Sequence, residues 1–141
     1  MTGEEPENGR KTEVIDLIDP NNHCTTIDFP FDLYDANGGL LGTDLPIVCG
    51  GDSGGGKSEA QCYVLRSRKF TPLMELKDAT KDMGLGSVVV NGSLMIVGGY
   101  TTERSTQTLK VSLSGIETLP NLPLAVNGRD FKYMCKMILA F

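Results

Sequence analysis

The sequence predicts an all-β chain assembled from repeated units of four antiparallel strands. Three observations carry that prediction. Glycine pairs recur at Gly38-Gly39, Gly50-Gly51 and Gly98-Gly99, with a run from Gly54 to Gly56. Laid upon itself with position 45 over position 93, the chain matches LPIVCGG (45–51) to SLMIVGG (93–99). The β-branched run Ser87-Val88-Val89-Val90 leads into Asn91-Gly92. That dipeptide is the strongest short hairpin signal, because both residues accept positive φ.

The elements follow in order. Residues 1–11, MTGEEPENGRK, are polar and mostly acidic. A signal peptide needs a basic start and an apolar middle, so this segment reads as a disordered lead-in. Residues 12–30 form a partial unit: Glu13-Val14-Ile15-Asp16-Leu17 falls on Gln61-Cys62-Tyr63-Val64-Leu65 under the same shift. Residues 38–76 form a full unit, and 86–122 a second. Within the second, 93–97 is an apolar strand closed by Gly98-Gly99, and YTTERSTQ is a polar loop. Residues 108–113 alternate apolar and polar, as a half-buried strand does. Ser114-Gly115 makes a turn, 116–119 is a short fourth strand, and PNLP closes the unit. With a two-residue slip, Leu73 and Leu76 meet Leu119 and Leu122. The pattern fades after Asn127, so 128–141 is the start of a further unit or unrelated to it.

Four strands in a period of about 50 residues is the pattern of a propeller blade. The apolar strand ending in Gly-Gly, the polar loop, the alternating strand and the Leu119-Pro120-Asn121-Leu122-Pro123 link resemble the kelch repeat. The resemblance runs from about residue 12 to 127, roughly 2.5 repeats. Kelch units usually carry a Tyr and a Trp after the glycine pair. This chain has no Trp, with Phe70 and Ile116 near that place, and Tyr63 falls on Val111. The resemblance implies an incomplete kelch-like β-propeller with four-stranded antiparallel blades, at a period of about 48 residues. It further implies a non-catalytic interaction module that presents blade loops to a protein partner.

One stretch, IVCGGDSGGGKSEA (47–60), carries two catalytic patterns at once. Gly51-Asp52-Ser53-Gly54-Gly55 reads like the nucleophile segment of chymotrypsin-like proteases. That chemistry needs a histidine base and an acid behind it. The single histidine, His23, lies well upstream of Ser53 in a turn-forming DPNNHC cluster and reads as a solvated loop residue. Residues 51–58 also satisfy G-x-x-x-x-G-K-[ST], the phosphate-loop pattern, which requires a strand before and a helix after. The following Cys62-Tyr63-Val64-Leu65 is strand-like. The matching loop GGYTTERSTQ keeps the glycine pair and loses the Gly-Lys-Ser. Gly50, Gly51, Gly98 and Gly99 are therefore read as scaffold, closing strands where the backbone turns sharply. Asp52 to Ser58 is read as a flexible loop tip, with Asp52, Ser53 and Lys57 as candidate contact residues. The alternative is a nucleotide-binding or hydrolytic enzyme using residues 51–58.

The cysteines are Cys24, Cys49, Cys62 and Cys135. Cys49 ends one strand and Cys62 lies on the next, so the pair can face each other across a hairpin. Their partners in the next unit are Val97 and Lys110, so both are absent together. In an oxidising compartment they form a disulfide; otherwise they are two small buried hydrophobes. Asn91-Gly92-Ser93 fits a glycosylation sequon, but the hairpin turn explains it without a sugar.

Composition bounds the function. The net charge of −5 argues against a general nucleic-acid binder, which carries a basic patch. No apolar run reaches the length of a spanning helix, so no membrane role is expected. No cofactor or metal is expected. With no signal peptide visible, a cytoplasmic location is favoured over a secreted one. Fewer than three units leave open edges, so the chain is expected to belong to a longer propeller or to self-associate.

Overall fold

The computed structural model describes residues 10, 13–15, 23–25, 27–54, 57–76, 86–99 and 105–123. The lead-in apart from Arg10, and the tail 128–141, lie outside the described residues. Among the described residues there are ten strands and no helix.

β1 (Glu13–Ile15) and β2 (His23–Thr25) form an antiparallel pair, with Val14 opposite Cys24. His23 therefore opens a strand rather than sitting in the turn that its DPNNHC context suggested. Ladder pairing with Ile15 sets its backbone.

The first sheet is a meander of β3 (Asn37–Leu41), β4 (Leu45–Cys49), β5 (Gln61–Arg66) and β6 (Lys69–Glu75). The second repeats that order in β7 (Gly86–Val90), β8 (Ser93–Val97), β9 (Thr108–Ser112) and β10 (Gly115–Leu119). The fold is thus all-β, with two four-stranded antiparallel sheets. Asn91 (φ 48°) and Gly92 (φ 70°) make the tight β7–β8 turn, as the dipeptide demands. Ser67 (φ 48°) and Arg68 (φ 62°) make the same shape between β5 and β6, without glycine. Pro72 is tolerated because β6 is an edge strand, next to a register shift at Cys62/Tyr63.

The two sheets pack on each other around one apolar core. Leu41, Ile47, Cys49, Cys62 and Val64 contribute from the first sheet, and Leu94, Ile96, Leu109 and Val111 from the second. Each set alternates along its strands, so each occupies one face of its sheet. A Cβ on Gly39 would lie 2.6 Å from Val89 Cγ2 and 2.8 Å from Leu94 Cδ1, so glycine lets β3 approach the second sheet closely. At the turns, the Gly42 N–H donates to the Gly92 carbonyl over 2.8 Å.

The faces that meet are not the same face twice. Ile47 and Cys49 correspond under the repeat shift to Met95 and Val97, yet the second sheet contributes Leu94 and Ile96 to the core. We call the Ile47 side of the first sheet and the Met95 side of the second the front. The front of the first sheet packs on the back of the second.

The back of the first sheet is partly covered by residues 27–34. Phe29 packs edge-on against Phe31, Tyr63 and Phe70, with ring centroids 5.0, 5.1 and 4.7 Å apart. Arg10 holds this strap: its Nε donates to the Phe29 carbonyl over 3.2 Å, and the Phe29 N–H donates to the Arg10 carbonyl over 2.7 Å.

Candidate functional site

Gly50-Gly51 and Gly98-Gly99 each follow the second strand of their sheet in left-handed backbone. Gly50 and Gly51 have φ of 67° and 108°; Gly98 and Gly99 have 74° and 126°. A side chain at Gly51 is doubly excluded, because its Cβ would lie 2.5 Å from the Tyr34 carbonyl oxygen.

The loops that follow share three anchors. The Glu59 N–H donates to Gly51 O over 2.8 Å, as the Ser105 N–H does to Gly99 O over 2.9 Å. The Gln61 N–H is capped by Glu59 Oε1 at 2.8 Å, and the Gln107 N–H by Ser105 Oγ at 3.1 Å. The Leu76 N–H reaches Ala60 O and the Leu122 N–H reaches Thr106 O, each at 2.7 Å. Counting back from these anchors, the second loop is the shorter by two positions. The slip seen in sequence at Leu73 and Leu119 therefore arises earlier, between the glycine pair and the third strand.

That relocation corrects the cysteine comparison. Cys49 lies directly opposite Cys62, and the residue opposite Val97 is Thr108, not Lys110. Likewise the counterpart of Tyr63 is Leu109 rather than Val111. Cys49 and Cys62 are joined by a disulfide, with Cα atoms 4.1 Å apart and both residues fully buried. Directly opposed, non-hydrogen-bonded pairs have about this spacing, so the ladder itself brings the two sulfurs together. The bond closes the base of the loop that carries Asp52, Ser53 and Lys57. Its two ends lie on the front face, within the core.

Above the disulfide the loop folds on itself. Asp52 and Tyr34 exchange both backbone hydrogen bonds, at 2.9 and 2.8 Å, so the loop is laced to the chain entering β3. Asp52 Oδ1 accepts from the Gly54 N–H at 2.8 Å. Ser53 gives its N–H and its Oγ–H to the Lys57 carbonyl, at 2.9 and 3.1 Å. The described part of the tip is a hydrogen-bonded turn. Lys57 is exposed. The side chain of His23 lies outside the described residues. After Ser58 the chain runs into β5, a strand, where the phosphate-loop pattern requires a helix. No group of three or more His, Cys, Asp or Glu poised for a metal occurs among the described residues.

Near the loop, the Tyr63 phenol is pushed above its ordinary value by burial, with the Glu59 carboxylate adding to the shift. Sequence reasoning missed the strap of Phe29 and Phe31, because DFPFDL shows neither helical nor strand periodicity. Two aromatics either side of Pro30, flanked by Asp28 and Asp32, were the available signal.

The chain matches no known family model, and no curated protein matches it.

Proposed function

We propose that this chain is a non-catalytic protein-interaction module of kelch β-propeller type. In this reading each sheet is a blade and the Asp52–Lys57 loop is a partner-contacting surface. One observation carries the reading: two four-stranded meanders, stacked front on back, end their second strands in the same left-handed glycine pair with the same loop anchors. Front-on-back packing is a heterologous contact, which propagates and closes into a ring when the rotation allows. The β1–β2 pair lies one repeat step before β5 and β6, as the outer half of a preceding blade would. Repeats of this kind hold their fold by stacking and carry specificity in loops that differ between units. The disulfide-closed loop is such a difference: Asp52, Ser53 and Lys57 are peculiar to one sheet on a shared anchor.

The test is site-specific photo-cross-linking. A photoreactive residue at Lys57 captures a partner protein, and one at Leu113, in the exposed β9–β10 turn at the other end of the sheets, does not. The Asp52→Ala/Ser53→Ala/Lys57→Ala variant loses the partner while staying folded, its stability lowered only by the two turn hydrogen bonds it removes, about 1 kcal/mol each. Equal capture from both positions, or capture untouched by the triple variant, refutes the loop assignment. Saturable nucleotide binding abolished by Lys57→Ala would overturn the non-catalytic reading in favour of the enzyme alternative.

A further inference from the structure

Among the described residues, the front-on-back contact leaves two faces without a neighbouring four-stranded sheet. One is the front of the second sheet and the other is the back of the first. Each is half covered, and each is open at the same corner.

On the front of the second sheet, Val97 and Thr108 are buried, while Val88 and Met95 are half-buried and Val90 is 40% exposed. The equivalent of Val90 in the first sheet is Leu41, since Leu41 pairs with Leu45 as Val90 pairs with Ser93. Leu41 is 0% exposed, because the second sheet covers it. On the back of the first sheet, the Phe29 strap covers Tyr63 and Phe70 on the β5–β6 side. The β3–β4 side stays open: Leu40 is 42% exposed and Pro46 and Val48 are half-buried. Their equivalents in the second sheet are Val89, Leu94 and Ile96; Leu94 and Ile96 are fully buried against the first sheet while Val89 stays 41% exposed within that contact, so it is Pro46 and Val48 that mark the corner as open.

The open corners are thus copies of the two corners that already meet, where β3 lies against β7 and β8. They also match in size. In the existing contact, Gly39 makes room for Leu94. In the open pair the order reverses: Val88 stands in the place of Gly39, and the shorter Pro46 in the place of Leu94. Neither corner carries a charge, as β3, β4, β7 and β8 contain no acidic or basic residue. The outer edge strands are protected differently, by Lys69, Pro72 and Glu75 on β6 and by Glu117 on β10.

We infer that the β7–β8 corner of one chain docks on the β3–β4 corner of a second copy of the same chain, in the front-on-back sense of the internal contact. Val90, Val88 and Met95 of one copy then cover Leu40, Pro46 and Val48 of the next. This rests on the reading of the two sheets as like units, and it names the partner of the open faces.

Sedimentation velocity on the full chain across a wide concentration range tests it. Wild type associates with rising concentration. Val90→Asp disables the front and Leu40→Asp the back, and each variant alone is monomeric. Mixed, they form a dimer that grows no further, because one intact front meets one intact back. A wild-type monomer at every concentration overturns the inference. So does a Leu40→Asp chain that associates like wild type, which would mean front-to-front pairing, or a mixture that stays monomeric. Both residues are exposed, so both variants should melt as wild type does. Met95→Lys and Val48→Lys form a second pair on the same two corners should either fail to fold. Cross-linking at Lys57 is read on a different surface. A monomeric chain that still captures its partner there sinks the docking and leaves the interaction role standing.

Discussion

Reducing the bond between Cys49 and Cys62 has a cost that follows from chain length. The cysteines are 13 positions apart, and the bond closes the loop between them. In the chain-entropy account, closing a loop of that size removes about 10 cal/mol/K from the unfolded ensemble, or about 3 kcal/mol at 25 °C. For a chain of 141 residues, with an unfolding entropy of about 2.1 cal/mol/K per residue, that corresponds to a melting shift of about 10 °C. The assay is thermal unfolding followed by circular dichroism, in a background with Cys24 and Cys135 replaced by serine. Oxidised protein melts about 10 °C above reduced protein. A Cys49→Val/Cys62→Val chain should melt near the reduced form, because near-isosteric apolar swaps in a core cost under about 1.5 kcal/mol. Its melting must not respond to reductant. If oxidised and reduced chains melt within a degree or two of each other, the ladder alone holds the loop base and the reasoning fails.

Further perturbations separate the remaining elements. Gly54→Ala meets open space at φ 99° and should cost only backbone strain, about 1–3 kcal/mol, in a denaturant melt. Gly51→Ala, at φ 108° and with Tyr34 O in the way, should exceed it clearly; equal costs would dismiss the clash. Phe29→Ala should lose about 3–5 kcal/mol by stripping the strap from Tyr63 and Phe70, again read from a melt. Ser67→Asn/Arg68→Gly gives the β5–β6 turn the dipeptide that β7–β8 already uses, and should gain about 1–2 kcal/mol. Burial, then Glu59, raises the Tyr63 phenol above 10.0, so the folded state favours the neutral form. Its stabilisation is full below pH 10 and is lost as pH rises through the raised value. Absorbance of tyrosinate at high pH should show a late-titrating component that Tyr63→Phe removes, along with part of the alkaline loss of stability.

The strands were legible because their causes are local. Asn91-Gly92 dictates its turn, the β-branched run before it dictates extension, and the pairs Gly50-Gly51 and Gly98-Gly99 mark where a strand must stop, whereas Gly38-Gly39 lies within β3. What lay beyond the sequence depends on partners distant along the chain. A plain repeat shift set Cys62 beside Lys110, because it could not see that Glu59 and Ser105 perform the same capping task on loops of unequal length. Phe29 is buried by Tyr63 and Phe70, which lie far along the chain, and its immediate neighbours, though aromatic, do not say which residues those are. In the candidate loop, residue types suggested a nucleophile and a phosphate cradle. Its geometry turns on which backbone carbonyl each group faces: the Ser53 hydroxyl is committed to Lys57 O. His23 looked like a turn residue because its neighbours are turn formers, while its strand partner lies in β1.

Among the described residues, the bond from the Gly42 amide to the Gly92 carbonyl is the one backbone hydrogen bond that joins the two sheets. Every amide paired within a ladder is protected by its own sheet, whether or not the sheets have met. The Gly42 proton is protected only when they have. Its exchange with deuterium therefore times the docking of one sheet on the other, separately from the formation of either. A single amide signal can tell a chain whose sheets have come apart from one that has unfolded.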